Sequence, residues 1–172
     1  MDDLIQKLNV FSGKDFPVSE VSKFLKNYRV SDEDIKKYCF FQDHVYTRNL
    51  VFKNESFEVL LLCWRPGHKA PVHGHEGEKC WARIDQGHLK FRNFTLLSKK
   101  PLALKFSDEI VGGLDYLDGP ADIHSVENSF DEDAVSLHVY AKPYDLCDVY
   151  DLEKKKIRRR SLSYYSKFGE IC

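Results

Sequence analysis

Residues 67–87 read GHKAPVHGHEGEKCWARIDQG, and this stretch decides how the chain folds. His73 and His75 stand two apart on what reads as an extended segment, so their side chains point to the same face. Both imidazoles then reach one metal ion, with Gly74 between them adding no bulk. A third ligand is needed, and the best candidate is His124 in Asp122-Ile123-His124-Ser125-Val126-Glu127-Asn128. Three neutral imidazoles suit iron, zinc, copper or nickel and leave coordination positions open for a substrate. Taken alone, an H-x-H pair among seven histidines is more often an accidental exposed pair than a metal site. The surroundings must carry the assignment.

Outward from this centre the chain reads as short strands. Upstream, Val45–Val51 is strand-like, and residues 57–64 (FEVLLLCW) form an apolar run of the fully buried type. Downstream, strands are expected at 79–84, 88–96, 102–106, 134–140 and 148–150, with Gly, Pro, Asn and Asp between them. Many short strands with turn signals predict a sandwich or barrel. The first forty residues read differently. Leu4, Ile5 and Leu8 make one helical stripe, and Val21, Phe24, Leu25 and Tyr28 make another. Ser31 with Asp34 resembles a capping box opening a third short helix. No linker, repeat or low-complexity stretch interrupts the chain. A single domain over residues 1–172 is expected, with residues 1–40 as a helical segment packed on the barrel.

Composition narrows the function. Of 172 residues, 42% are hydrophobic and 31% charged, and the net charge is −1, so no nucleic-acid partner is expected. Met1-Asp2-Asp3 is acidic and no long apolar run follows, so neither a signal peptide nor a membrane partner is expected. The five cysteines are odd in number and widely spaced, without a C-x-x-C, which fits a reducing cytoplasm. The basic run Lys154–Arg160 reads as a charged edge near the C-terminus, where Lys and Arg discourage strand-to-strand association. A monomer is expected.

The spacing Gly67, His73, His75, Cys80, Gly87 resembles the first motif of the cupin superfamily, except that a Glu usually stands where Cys80 does. Gly113, His124 and Asn128 match the second motif, while Gly119 and Ala121 stand where Pro and Gly are usual. A closer resemblance, covering most of the chain, is to cysteine dioxygenase. It rests on Tyr46-Thr47-Arg48-Asn49-Leu50, Leu62-Cys63-Trp64, His73-Gly74-His75 with Cys80, His124-Ser125-Val126-Glu127-Asn128, and Ala134-Val135-Ser136-Leu137-His138-Val139-Tyr140.

That resemblance implies a mainly β fold, a cupin jelly roll with short N-terminal helices. It implies one non-haem Fe(II) per chain, held by His73, His75 and His124, and oxidation of L-cysteine with O2 to cysteine sulfinate, a step of cysteine catabolism. Arg48 would hold the substrate carboxylate by a charge-assisted pair, with Tyr46 beside it. Tyr140 would bring its hydroxyl near the substrate. Ser136, His138 and Tyr140 share one strand face at i, i+2, i+4, so His138 stands where it can orient the tyrosine. In animal-type members the Cys at the position of Cys80 forms a thioether with the Tyr at the position of Tyr140. Trp64 is expected in the core or just behind the pocket, and Cys147 near its mouth as an inert thiol.

Two features depart from the family pattern. The Ser-Pro pair that follows the tyrosine is Ala141-Lys142 here, with Pro143 one place later, so that loop is expected to differ. The turn after His75 is unusually charged, with Glu76, Glu78 and Lys79. Two other functions stay open. Dioxygenases of 3-mercaptopropionate tend to have Gln at the Arg48 position and Gly at the Cys80 position, so both residues here favour cysteine. A non-enzymatic cupin binding a metal or small molecule is the other.

Overall fold

The computed structural model describes residues 1–120 and 122–172; Ala121, one of the second-motif positions, lies outside the described residues. Three helices come first: α1 (Asp2–Ser12), α2 (Val18–Asn27) and α3 (Asp32–Tyr38). Asp2 and Asp3 in the first turn of α1 sit where the helix dipole favours negative charge. Ser31 caps α3 as its position predicts, its Oγ accepting from the Asp34 N–H at 3.1 Å. The α1 and α2 stripes bury Leu4, Leu8, Phe11, Val21 and Leu25, while α3 buries nothing fully.

Thirteen strands follow among the described residues: β1 (Thr47–Lys53), β2 (Glu58–Trp64), β3 (Lys69–Gly74), β4 (Cys80–Gln86), β5 (Leu89–Lys99), β6 (Leu102–Gly112), β7 (Leu117–Asp118), β8 (Ile123–Glu127), β9 (Ala134–Tyr140), β10 (Leu146–Asp151), β11 (Lys156–Ser161), β12 (Ser166–Lys167) and β13 (Glu170–Ile171). They form two sheets, in the orders β13-β12-β1-β2-β9-β4-β7 and β11-β10-β3-β8-β5-β6. Pairing is antiparallel except between β1 and β12. The mainly β, double-sheet jelly roll with N-terminal helices agrees with the sequence expectation.

Strands β2 and β9 lie in the middle of the first sheet and are buried along their whole length. That is the physical basis of the apolar run in residues 57–64. Alternation along β9 divides its side chains between two cores. Val135, Leu137 and Val139 pack toward the helices, against Leu4, Leu8 and Val21. Tyr140 and Ala134 join the core between the sheets, with Leu62, Trp64, Phe91 and Val126.

Some strands differ from the pattern in the sequence. β5 and β6 run to eleven residues each, longer than expected, because they pair with each other along their length, with cross-strand polar pairs beside a small apolar cluster. Arg92 Nε donates to Glu109 at 2.5 Å and Asn93 Nδ2 to Asp108 at 2.8 Å. Lys156–Arg160 of the basic run lie on the edge strand β11, which among the described residues pairs with β10 alone, while Lys154 and Lys155 sit in the turn before it. Arg158 lies 3.4 Å from Asp151 and Arg159 3.1 Å from Asp148. Among the described residues, no helix is long and apolar enough to cross a membrane.

Candidate metal centre

His73 on β3 is the direct cross-strand partner of His124 on β8. His75 lies just beyond the end of β3, where its backbone N–H donates to the Asp122 carbonyl at 3.0 Å. The three rings stand 4.8–5.2 Å apart between centroids, and one nitrogen from each lies within 4.8 Å of the others. Gly74 also leaves room for Tyr150: a Cβ there would sit 2.9 Å from the Tyr150 hydroxyl oxygen, so that ring would have to shift.

The other ring nitrogens are occupied. Nδ1 of His73 lies 2.8 Å from the Pro71 carbonyl, Nδ1 of His75 3.0 Å from the Asp122 carbonyl, and Nδ1 of His124 3.1 Å from Asp118 Oδ2. Each contact holds a proton on Nδ1 and turns Nε2 toward the common centre, the usual support of a metal-ligating histidine. Nε2 of His75 is buried and has no partner in the protein. Leaving such a nitrogen unpaired costs roughly 1–3 kcal/mol, and a metal ion removes that cost. Burial also keeps two of the imidazoles neutral. It lowers His73 to about 3, aided by repulsion from His124, and takes His75 well below the usual range. Neutral imidazole is the form that ligates. The donor set therefore fits a metal, and the three histidines expected as ligands are brought together.

The polar face of β9 lies beside them. Ser136 Oγ is 2.9 Å from His138 Nε2, and His138 Nδ1 is 3.3 Å from the Tyr140 hydroxyl. Trp64 Nε1 donates to Ser136 Oγ at 2.9 Å; the indole is buried but, against expectation, also forms part of the cavity wall. Tyr46 stacks on Trp64 with centroids 4.4 Å apart and planes 17° apart. Cys80 on β4 is the cross-strand partner of Tyr140 on β9. Burial pushes both groups well up, so both are protonated when unmodified.

Arg48 enters from β1 with its guanidinium 5.5–5.9 Å from the ring centres of Tyr140, Tyr144 and Tyr164. Its Nε is buried without a protein partner. Tyr46, Arg48, His73, His124, His138 and Tyr140 line a single cavity, which Cys147 also borders. Ser136 and Cys80, both buried, stand behind that wall.

Several residues of the site escaped the sequence reading. Asp118 supports His124 from a two-residue strand too short to give a pattern. Tyr144 also lines the cavity. It stacks on Tyr140 at 5.1 Å and donates to the Gly74 carbonyl at 2.6 Å. Arg160, assigned only to a charged edge, lines the cavity too. Its register partner on β10 is Cys147, so strand alternation turns it to the cavity side. Glu58 had a signal that went unused, a carboxylate inside an otherwise apolar run.

Comparison with known proteins gives a consistent result. A family model described as cysteine dioxygenase type I matches residues 1–153. The chain is 34% identical to cysteine dioxygenase type 1 of Homo sapiens, over 97% of this chain and 86% of that one. It is 32% identical to the Danio rerio protein of the same name, over 99% and 88%. Among solved structures, the TT1209 protein of Thermus thermophilus superposes with a TM-score of 0.53 at 20% identity, covering 67% of this chain and 98% of that one. The last likeness speaks for the fold alone.

Proposed function

This chain belongs to the cysteine dioxygenase type I family, and from that premise we propose that it oxidises L-cysteine to cysteine sulfinate at an iron(II) held by His73, His75 and His124. The observation that carries the proposal is one cavity lined by two of these histidines and by a buried arginine with an unpartnered Nε. The thiolate gains both oxygen atoms of O2. Sulfur loses four electrons and O2 accepts four, so no further reductant is needed. Bound iron(II) supplies the redox-active centre at which thiolate and dioxygen meet, and an all-imidazole ligand set leaves it more positive than one with a carboxylate.

The chain's own residues bind, orient and hold protons. Arg48 takes the substrate carboxylate through its free Nε–H, and Tyr46 stands beside it. Indole is only a donor, so Ser136 Oγ accepts from Trp64 and passes its own proton toward His138 Nε2. His138, kept neutral by burial, then donates from Nδ1 to the Tyr140 oxygen. That direction leaves the Tyr140 hydroxyl proton free to point into the cavity. The Cys80–Tyr140 register supports a thioether between them, which would remove the torsional freedom of the phenol. Arg48 and Cys80 favour cysteine over 3-mercaptopropionate. We further propose a cytoplasmic monomer.

The test is anaerobic loading with iron(II), followed by oxygen-uptake and sulfinate assays on cysteine, 3-mercaptopropionate and cysteamine. Cysteine should be oxidised far faster than the others, with one O2 consumed per sulfinate formed. Arg48→Ala should lower kcat/KM for cysteine by about 2–5 kcal/mol, the usual cost of removing one partner of a desolvated charge pair. Equal activity on cysteine and cysteamine overturns the assignment.

A further inference from the structure

Glu58 is the most deeply placed carboxylate near the cavity, at 0% exposure. It opens β2 inside a run whose other members are apolar, and its cross-strand partner on β9 is Tyr140. Placing a carboxylate there is costly unless it is paired and fully hydrogen-bonded. A valine or leucine would serve the strand better.

Its contacts show what it holds. Oε2 accepts from the Tyr164 hydroxyl at 2.5 Å. Oε1 accepts from the Tyr144 backbone N–H at 3.2 Å and from Arg48 Nη2 at 3.4 Å. Lys53 Nζ stands 3.9 Å away. Arg48 Nη2 also donates to the Tyr144 carbonyl at 3.4 Å. One nitrogen of the guanidinium is thus pinned by Glu58 and by a backbone segment that Glu58 itself holds. Guanidinium is planar, with its N–H groups in a fixed fork, so pinning Nη2 sets the direction of the whole plane. Nε is left buried and unpartnered. The same segment carries the Tyr144 ring that stacks on Tyr140.

We propose that Glu58, buttressed by Tyr164, is a positioning residue that fixes the Arg48 guanidinium and the Tyr144 segment and so sets the preference for thiols bearing a carboxylate. The inference rests on the reading that Arg48 grips the substrate carboxylate. It adds that the grip depends on a second, negatively charged residue that does not touch substrate.

The experiment uses iron-loaded enzyme turning over cysteine, with two competitive inhibitors. 3-Mercaptopropionate has the carboxylate without the amine, and cysteamine has the amine without the carboxylate. Glu58→Gln keeps the side-chain volume and an acceptor for Tyr164. It should raise the inhibition constant of 3-mercaptopropionate about tenfold while that of cysteamine moves less than about threefold, the scale of one hydrogen bond to a charged group. The KM for cysteine should rise with it more than kcat falls. Tyr164→Phe, a second variant that leaves the carboxylate in place, should shift the same constants in the same direction by less. In an Arg48→Ala background, Glu58→Gln should add no further loss. Equal weakening of both inhibitors, or tighter binding of 3-mercaptopropionate because Glu58 had competed for Arg48, overturns the proposal. If Arg48→Ala weakens 3-mercaptopropionate and Glu58→Gln does not, the Glu58 inference fails and the Arg48 reading stands. If Arg48→Ala leaves that constant unchanged, the Arg48 reading fails and takes the inference with it.

Discussion

One strand, β9, serves two cores that could hardly differ more. Val135, Leu137 and Val139 meet α1 and α2 in a core built almost entirely of aliphatic and aromatic side chains. Ser136, His138 and Tyr140, all buried, face the space between the sheets beside three histidines and an arginine. Both faces exclude water, and they use that exclusion differently. On the helix side, burial of apolar surface stabilises the fold by about 1.5–3 kcal/mol per large side chain. Between the sheets, the same dryness keeps His73, His75 and His138 neutral and strengthens each polar contact. The helices therefore act as a cover that stabilises the back of the sheet while its front is free to carry polar groups.

That division is testable, and the largest effect is expected at the metal. His124→Ala should abolish most bound iron, measured by metal analysis, and with it nearly all sulfinate formation. Full iron content and turnover in that variant would remove His124 from the centre. On the other face of β9, Leu137→Ala should cost about 2–5 kcal/mol of stability, read by denaturant unfolding. The molecules that remain folded should keep their iron and their kcat. A kcat loss per folded molecule comparable to that of His124→Ala would break the separation of the two cores.

Asp118→Asn probes the front core more gently. It removes the charge behind His124 and should weaken metal affinity by roughly 10–100-fold, the usual scale for such a partner, with little change in melting temperature. Cys80→Ser should abolish any second band on a denaturing gel and any species lighter by two hydrogens. It should retain part of the activity, because Cys80 stands outside the three-histidine cluster. Finding Cys80 and Tyr140 peptides always separate after repeated turnover would exclude the thioether. The smallest effect belongs to the cover. Ser31→Ala should cost about 1 kcal/mol through loss of the α3 cap, with no change in iron content.

Much of the site was legible because its spacing repeats the geometry of a strand. His73 and His75, and Ser136, His138 and Tyr140, are separated by two, and in an extended chain that alone puts side chains on one face. Cys80 had no such local signal, and the same spacing of two between Tyr46 and Arg48 was not used. All three entered through a family resemblance, and the geometry then brought Arg48 and Tyr46 to the cavity wall and Cys80 beside Tyr140. Asp118, Tyr144, Tyr164 and Glu58 were not found. Asp118 lies only six positions from His124 but on a strand too short to show a period, while the other three act across long separations, as Tyr164 does on Glu58 at 106 positions.

The sequence by itself determined the three helices, most of the longer strands, the paired-histidine spacing and the polar face of β9. These follow from local periodicity and backbone stereochemistry, which act over a few residues. Only the tertiary structure decided which core each face of β9 would join, how far β5 and β6 would extend, and that β11 would turn Arg160 toward the cavity. It also decided that the lone carboxylate of an apolar strand would end up holding the arginine of the site. These outcomes depend on strand order and register, which are set by the packing of the whole chain; a single position such as Glu58 can stand out in its run without showing which residue it will meet.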